Sequence, residues 1–275
     1  MSIVIVSSLS YAGGEEIAEK AASRLGYKCI AGEVLEDASR TSGIQPEKVR
    51  KAVFEAPGLL GGMSLAARKR VIAHLQAAIC SYLVDDNVLY HGPLGHLLVK
   101  GVTHVLTVRI LASKEDRAAR KMKEEGCDRR EAEKAISRED KHRLSIAREL
   151  FKADDDKTDP FNLVIDTSET ETDAAVNAIA ETVSQDRYKP MTYSIQCMKD
   201  IELSSRVRAS LIELDPDIAV DAKKGDVRVR TKVSGRAKEK RLQEIRRRTE
   251  GLDGVSEVEI EAVADLADQL GRRRR

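Results

Sequence analysis

Several residue types are rare or absent in this sequence. Tryptophan is missing, and there are only three phenylalanines and six tyrosines. Single-stranded nucleic acid usually stacks on aromatic side chains, so sequence-specific nucleic-acid binding is disfavoured. No apolar run approaches the roughly 18 residues that a membrane-spanning helix requires, and we expect no transmembrane segment.

The few cysteines and the first residues point to the cytoplasm. The four cysteines (Cys29, Cys80, Cys127 and Cys197) form no CxxC pair. This scatter favours reduced thiols and hence a cytoplasmic location. The start, "MSIVIVSSLS", lacks a basic flank and a cleavage site, so it predicts a buried first strand and not a signal peptide.

What is present suits a large soluble protein. The 275 residues are 34% charged and 41% hydrophobic, with a net charge of +1. Such a chain can bury a core without disulfides, and its length allows one large domain or two smaller ones.

Short apolar segments alternate with helical patterns through the first two thirds of the chain. The predicted strands are "SIVIV" at the start, 27–31, 87–92, 104–112 and 161–167. Strands that alternate with helices predict a parallel sheet covered on both faces. The sequence therefore predicts an α/β, three-layer domain with a five-stranded parallel sheet over residues 1–185.

The pattern changes after this region. Residues 186–200 break the periodicity and are interpreted as a linker. Residues 201–262 then show a helix, an alternating hairpin pattern around "KKGD", a basic helix and a last strand. This order predicts a small α+β domain of the α-β-β-α-β type, followed at 263–275 by a C-terminal helix and a basic tail.

The segment "SSLSYAGGEE" connects the first strand to the first helix. Backbone N–H groups of such a turn converge on one point, where the helix dipole favours an anion. Aligned on G-x-x-x-x-G-K-[ST], Ser8 takes the first glycine position and Gly13 the second, while Gly14 stands in place of the lysine. Glu15 takes the hydroxyl position and could bind Mg²⁺ through its carboxylate. The alternative is a simple helix-start turn with acidic residues in its first turn.

Several segments together resemble the cytidylate kinase-like branch of the P-loop nucleoside monophosphate kinases. They are "SYAGGEEIAEKAASRLGYKCI", "VLYHGPLGHLLVKGVTHVLTVRILASKEDRAARKM", "ISREDKHR" and "NLVIDTS". The resemblance implies the P-loop kinase fold, with ATP and Mg²⁺ as cofactors. It also implies a nucleotide and a small-molecule phosphate acceptor as ligands.

The resemblance further implies a lid over about 114–152. Arg138, Asp140 and Arg143 match the lid's R-x-D and following arginine, and Arg117 and Arg120 lie earlier in the same segment. Guanidinium groups can clamp the oxygens of a phosphoryl group in transfer. On composition alone, the segment is also compatible with a solvated charged helix.

The remaining candidate residues belong to two loops. The phosphate-binding loop comprises Ser8, Ser10, Ala12, Gly13, Gly14, Glu15 and Glu16. His91, Gly92 and His96 lie where the related kinases read the acceptor. Here the arginine and aspartate expected after the glycine are replaced by Pro93 and Leu94, so the acceptor is left open.

Residues 201–262 resemble a BON-type domain in "DPDIAVDA", "GDVRVRTKVSGRA" and "GLDGVSEVEIEA". Such modules bind ligands or partners, so an anionic ligand or a protein partner is expected there. Two hypotheses remain for the whole chain: a kinase that transfers phosphate from ATP, and an inactive nucleotide-binding sensor or adaptor that signals through the BON-like domain.

Overall fold

The computed structural model describes residues 2–55, 63–233 and 238–263. The predicted C-terminal helix and basic tail, apart from Val263, lie outside the described residues. Within these ranges, no helix is both long and apolar enough to cross a membrane.

The first sheet has five parallel strands in the order β2-β3-β1-β4-β5. They are β1 Ile3–Ser8, β2 Lys28–Ile30, β3 Val88–His91, β4 Val105–Leu111 and β5 Leu163–Asp166. The five predicted strands and the parallel α/β sheet are confirmed. The central position of β1 brings its carboxyl end between the ends of β3 and β4.

Both faces of this sheet are covered, as the apolar run in β1 predicts. Ile3 and Ile5 belong to one hydrophobic cluster, and Val4 and Val6 belong to another, with none of the four exposed to solvent. Successive side chains of a strand point to opposite faces, so a continuous apolar run needs a helical layer on each side.

The helices of this domain supply those two layers and a separate two-helix unit with its own small apolar cluster. They are α1 Gly14–Leu25, α2 Glu33–Ser42, α3 Pro46–Phe54, α4 Leu65–Leu83, α5 Gly95–Leu98, α6 Lys114–Glu125, α7 Arg129–Phe151 and α8 Thr172–Val183. Helices α1 and α8 pack on the Val4 face, while α2, α3 and α4 pack on the Ile3 face, and α6 and α7 form the separate unit.

The predicted linker is mostly helical, which corrects the interpretation of residues 186–200. A short 3-10 helix covers Asp186–Tyr188, and α9 runs from Thr192 to Leu211, so the helix expected near 201 begins two residues after Pro190. The backbone N–H of Met191 donates to the Ser194 hydroxyl at this start. Met198 is buried in the core of the first domain, a tertiary contact that the weak periodicity of the segment did not reveal.

The C-terminal region has the predicted α-β-β-α-β order. Helix α9 is followed by β6 Ala219–Lys223, β7 Asp226–Lys232, α10 Lys238–Glu250 and β8 Glu257–Val263. The sheet order is β6-β7-β8, with β6 antiparallel and β8 parallel to β7. Ala73 of α4 belongs to the same hydrophobic cluster as this module, so the two parts of the chain share packing.

Candidate nucleotide site

The turn after β1 opens into a large cleft at the carboxyl edge of the sheet. Gly13 caps α1 with φ 75° and ψ 16°, and Tyr11 also has a positive φ of 60°. The cleft has a volume of about 1540 Å³ and is lined by this turn, the end of β3, and parts of α2, α3, α6 and α7. Ligands of open α/β sheets bind at this edge.

The two glycines of the turn serve different purposes: Gly13 has a positive φ of 75°, and Gly14 lies directly against the side chain of Ser8. A Cβ atom on Gly13 would lie 2.2 Å from Nη1 of Arg120, and one on Gly14 would lie 2.3 Å from Cβ of Ser8. Both distances are shorter than non-bonded contacts of real Cβ atoms. The position that holds lysine in the usual motif therefore has no room for a side chain here.

Most of the predicted site residues meet in the cleft. Those that line it are Ser8, Ser10, Gly13, Gly14, Glu15, Glu16, His91, Gly92, His96, Arg120, Arg138, Asp140 and Arg143. Two predicted residues do not line it. Ala12 is fully buried, with its carbonyl accepting a hydrogen bond from Thr167 Oγ1 at 2.9 Å, and Arg117 is 1% exposed.

Arg117 joins α6 and α7 to the turn. Its guanidinium donates to both carboxylate oxygens of Asp140 at 2.9 Å, to the Ser10 carbonyl at 2.8 Å and to the Ser10 hydroxyl at 3.1 Å. A bidentate arginine–carboxylate pair is directional as well as strong. Arg117 and Asp140 thus hold α6, α7 and the turn in one arrangement.

Asp155 is the centre of a second, buried network. Its carboxylate is 2.7 Å from Nε2 of His96, and Nδ1 of His96 is 2.9 Å from Oγ of Ser7. Arg143 donates to the carbonyl of Asp155 at 2.7 Å and pairs with its carboxylate, while Nη2 of Arg109 lies 3.7 Å from that carboxylate. Arg143 and His96 are therefore engaged within the protein.

The charges in this network depend on one another. Burial opposes ionisation of Asp155, but the hydrogen bond with His96 and the nearby Arg109 and Arg143 outweigh it, so the pKa of Asp155 lies below its usual value. Burial, with the neighbouring charge of Arg143, lowers the pKa of Arg109 to about 10. Asp155 is thus an anion that balances two cations, the buried Arg109 and the partly exposed Arg143.

Sequence reasoning missed Ser7, Arg109 and Asp155. A signal for Arg109 was present, because a charged residue within "VLTVRIL", a strand buried on both faces, needs a partner. Asp155 gave no such signal, since it stands in an acidic run, "DDD", that is typical of a solvated loop.

Two arginines, one in α6 and one in α7, keep their guanidinium groups available. Within the described ranges, Arg120 and Arg138 make no hydrogen bond and no ion pair, and both line the cleft. Their charges face the same space as the turn. An anion with several oxygens is the ligand that such groups suit.

The two acidic residues at the start of α1 differ in their ion pairing. Glu16 pairs with Lys20 at 2.8 Å, and hydrogen bonding to Lys20 lowers the pKa of Glu16. Glu15 is exposed and forms no ion pair or hydrogen bond with the described residues. No cluster of three potential metal-ligating side chains occurs among those residues, so a cation here would need phosphate or water oxygens besides Glu15.

The far side of the cleft mixes apolar and charged groups. Arg50 and Phe54 of α3 line it, with the guanidinium 5.9 Å from the ring centroid. Gly92 lies under Tyr90, whose hydroxyl donates to the Pro93 carbonyl at 3.1 Å. Pro93 therefore contributes its backbone to shaping this end of the cleft.

A sheet of strand order 2-3-1-4-5 with this turn after its central strand defines a protein of the P-loop kinase class. The sequence matches the Cytidylate kinase-like family over residues 3–169, and the chain belongs to that family. The match ends before α8, so the resemblance of the C-terminal module to BON-type domains stays a prediction.

Several solved structures are similar to this chain at low sequence identity. An uncharacterized protein from Eubacterium ventriosum is 16% identical over 67% of this chain and 100% of its own, with a TM-score of 0.50. A shikimate kinase from Bacteroides thetaiotaomicron is 10% identical over 67% of this chain and 99% of its own, with a TM-score of 0.43. A gluconokinase from Sinorhizobium meliloti is 15% identical over 66% of this chain and 91% of its own, with a TM-score of 0.44. No curated protein sequence matches the chain.

Proposed function

We propose that the protein transfers the γ-phosphoryl group of ATP to a nucleoside monophosphate or a similar small acceptor. The observation that carries this proposal is the position of two unpaired guanidinium groups, of Arg120 and Arg138, in the same cleft as the turn at Gly13 and Gly14. Phosphoryl transfer depends mainly on positioning and on stabilisation of charge. Family membership supports the same reaction class.

Each part of the cleft has a role in this proposal. The backbone N–H groups at the start of α1 hold the phosphates, and Arg138 and Arg120 stabilise the charge of the transferring group. Asp140 and Arg117 position the lid, and Asp155 positions Arg143. Magnesium bound by Glu15 and phosphate oxygens would withdraw charge from the reacting group. The acceptor then lies toward His91, Gly92 and α3.

The proposal is tested by ATP binding in a calorimeter with and without Mg²⁺, followed by ATP consumption with a panel of nucleoside monophosphates. We expect Arg138→Ala to lower the rate of ATP consumption by about 10³-fold or more, the range found for arginines that stabilise phosphoryl transfer. The matched control is Arg130→Ala, which removes an exposed arginine of the same helix and should leave the rate unchanged. Equal rates for the Arg138→Ala variant and the unaltered chain would show that the assigned role of Arg138 is wrong.

A second candidate function is supported by the turn itself. Because Gly14 replaces the lysine and has no room for a side chain, the chain could bind nucleotide as a sensor or adaptor and not transfer phosphate. In that case the C-terminal module would carry the signal to an anionic ligand or protein partner. ATP binding without consumption of ATP, across the whole panel of acceptors, would favour this function over the kinase.

The surface of the C-terminal module limits what that partner can be. In α10, Arg247 and Arg248 both pair with Glu244, and on the sheet Arg228 pairs with Glu259 and Arg230 with Asp221. Paired cations attract a polyanion less than free ones do. Sedimentation of the full chain with anionic and with neutral vesicles tests the anionic ligand, and equal binding to both would count against it.

A further inference from the structure

The turn after β1 differs from the common phosphate-binding motif at two positions: a larger residue stands where the motif has glycine, and glycine stands where it has lysine. That motif places glycine first and lysine seventh, whereas this chain has Ser8 first and Gly14 seventh. A Cβ atom at Gly14 would lie 2.3 Å from Cβ and 2.5 Å from Oγ of Ser8. The side chain of Ser8 therefore fills the space in which a side chain at position 14 would begin.

Ser8 has a polar partner on the neighbouring strand. Its Oγ lies 3.0 Å from Nε2 of His91. His91 is the last residue of β3 and pairs with Val6 of β1, two residues before Ser8. The same Nε2 would be 3.2 Å from a Cβ atom on Gly14. Ser8, Gly14 and His91 thus form one contact group, and all three line the cleft.

In the Nε2–H tautomer of His91, one of its two neutral tautomers, this pair leaves one proton for a ligand. Burial lowers the pKa of His91, although Glu15 acts in the opposite direction, so the neutral imidazole prevails near pH 7. A neutral imidazole protonated at Nε2 donates to Oγ of Ser8, because a hydroxyl oxygen accepts as well as donates. The hydroxyl proton of Ser8 then remains free to point into the cleft. Two further charged groups lie against the turn. The guanidinium of Arg120 lies over Gly13, and that of Arg117 donates to Ser10 while it pairs with Asp140.

This inference rests on the proposed function, because it concerns the phosphate of the same nucleotide. We propose that the Ser8 hydroxyl replaces the missing lysine as the side chain that donates a hydrogen bond to the bound phosphate, with His91 as its positioning residue. The hydroxyl is neutral, so it supplies direction without charge. The charge comes from the backbone dipoles of α1 and from Arg120.

The first test compares Ser8→Ala with the unaltered chain in calorimetric binding of ATP and of inorganic tripolyphosphate. Hydrogen bonds to charged groups are stronger than those between neutral groups. We therefore expect Ser8→Ala to lower the affinity for both ligands by about 10-fold or more. The control is Ser23→Ala, an exposed serine near the other end of α1, which should bind as the unaltered chain does. Unchanged affinity of the Ser8→Ala variant would overturn the inference.

The second test uses the chemistry of His91. His91→Gln keeps an N–H donor and should retain affinity within about threefold, whereas His91→Leu removes the donor and should lose about 10-fold. A merely structural role would lower the thermal midpoint of both variants together. Equal losses of affinity in the two variants would show that His91 does not act by donating to Ser8.

The third test restores the usual motif. Gly14→Lys alone should lose binding, because Ser8 leaves no room for the new side chain. Ser8→Gly with Gly14→Lys removes that obstacle and should bind ATP at least as tightly as the unaltered chain. A double variant that binds ATP no more tightly than Ser8→Gly alone would contradict the inference that Ser8 stands in for the missing lysine. Failure of the unaltered chain to bind either ligand would overturn the proposed function together with this inference.

Discussion

The two sheets of this molecule bury their residues in different ways. In β1, Ile3 to Val6 are fully buried because helices cover both faces. In β7, burial alternates from Asp226 to Lys232, with every second residue exposed. The outer face of the smaller sheet carries charged residues of both signs.

This difference determines where polar groups can act. A sheet covered on both faces leaves only its edges for polar side chains, and any charge inside must find a partner. Arg109 and Asp155 follow that rule at the carboxyl edge of the larger sheet. Charges on an open sheet face remain solvated, and their pairs contribute little. Removal of a polar group should therefore be costly in the first domain and nearly neutral on the second sheet.

The largest effect is expected from Asp155→Asn, which leaves Arg109 and Arg143 without their shared anion. Breaking a buried pair costs about 3–5 kcal/mol, and we expect this loss in the free energy of unfolding at pH 7, measured by urea denaturation. Because the folded-state pKa of Asp155 is lowered, its contribution is fully present above the unfolded value near 3.8 and is lost as the pH falls below it. The difference between the variant and the unaltered chain should shrink over that acidic range.

The matched control for Asp155 is its neighbour Asp156, whose side chain is 74% exposed. Asp156→Asn should change stability by no more than about 1 kcal/mol. If both variants lose the same stability, the buried network is not what distinguishes Asp155.

The next largest loss of stability is expected at two fully buried leucines, Leu106 in β4 and Leu211 in α9. Each substitution to alanine should cost about 2–5 kcal/mol. Since Ala73 of α4 packs in the cluster of the C-terminal module, we expect one cooperative transition in both variants, followed by circular dichroism. A separate early transition in Leu211→Ala would show that the module unfolds by itself.

A smaller effect is expected at the ion pairs between α4 and the C-terminal module. Lys69 pairs with Asp217, and Arg70 lies 2.6 Å from Glu213, with all four side chains partly exposed. Lys69→Ala should cost about 0–1 kcal/mol in the free energy of unfolding. A loss above about 2 kcal/mol would mean that charge and not apolar packing holds the two parts together.

The smallest effect is expected on the open face of the second sheet. Arg230 pairs with Asp221 at 2.7 Å, with their side chains 48% and 66% exposed. Arg230→Ala should cost about 0.2–1 kcal/mol and less at high salt, because the pair is solvated and screened. A larger, salt-independent loss would contradict the solvated character assigned to this face.

The sequence allowed the strands and helices to be predicted more reliably than the contacts of the candidate nucleotide site. The run "IVIV" predicts a strand covered on both faces, and the alternation in "DVRVRTKV" predicts a strand covered on one face. Residues near the turn, including Ser8 and Gly14, were identified because a strand, a small-residue loop and a helix are contiguous in sequence. The start of α9 was predicted wrongly because the burial of Met198 depends on contacts with the first domain.

The sequence by itself determined which segments become strands and helices, because burial on one or two faces imposes a local periodicity. It also determined that position 14 has no lysine. Only the tertiary structure decided that Ser8 occupies the space beside Gly14 and that His91 reaches Ser8. It likewise brought Asp155 to Arg109, 46 residues earlier in the chain. These contacts join residues from different strands and loops, and no local pattern records which distant side chain will fill a given space.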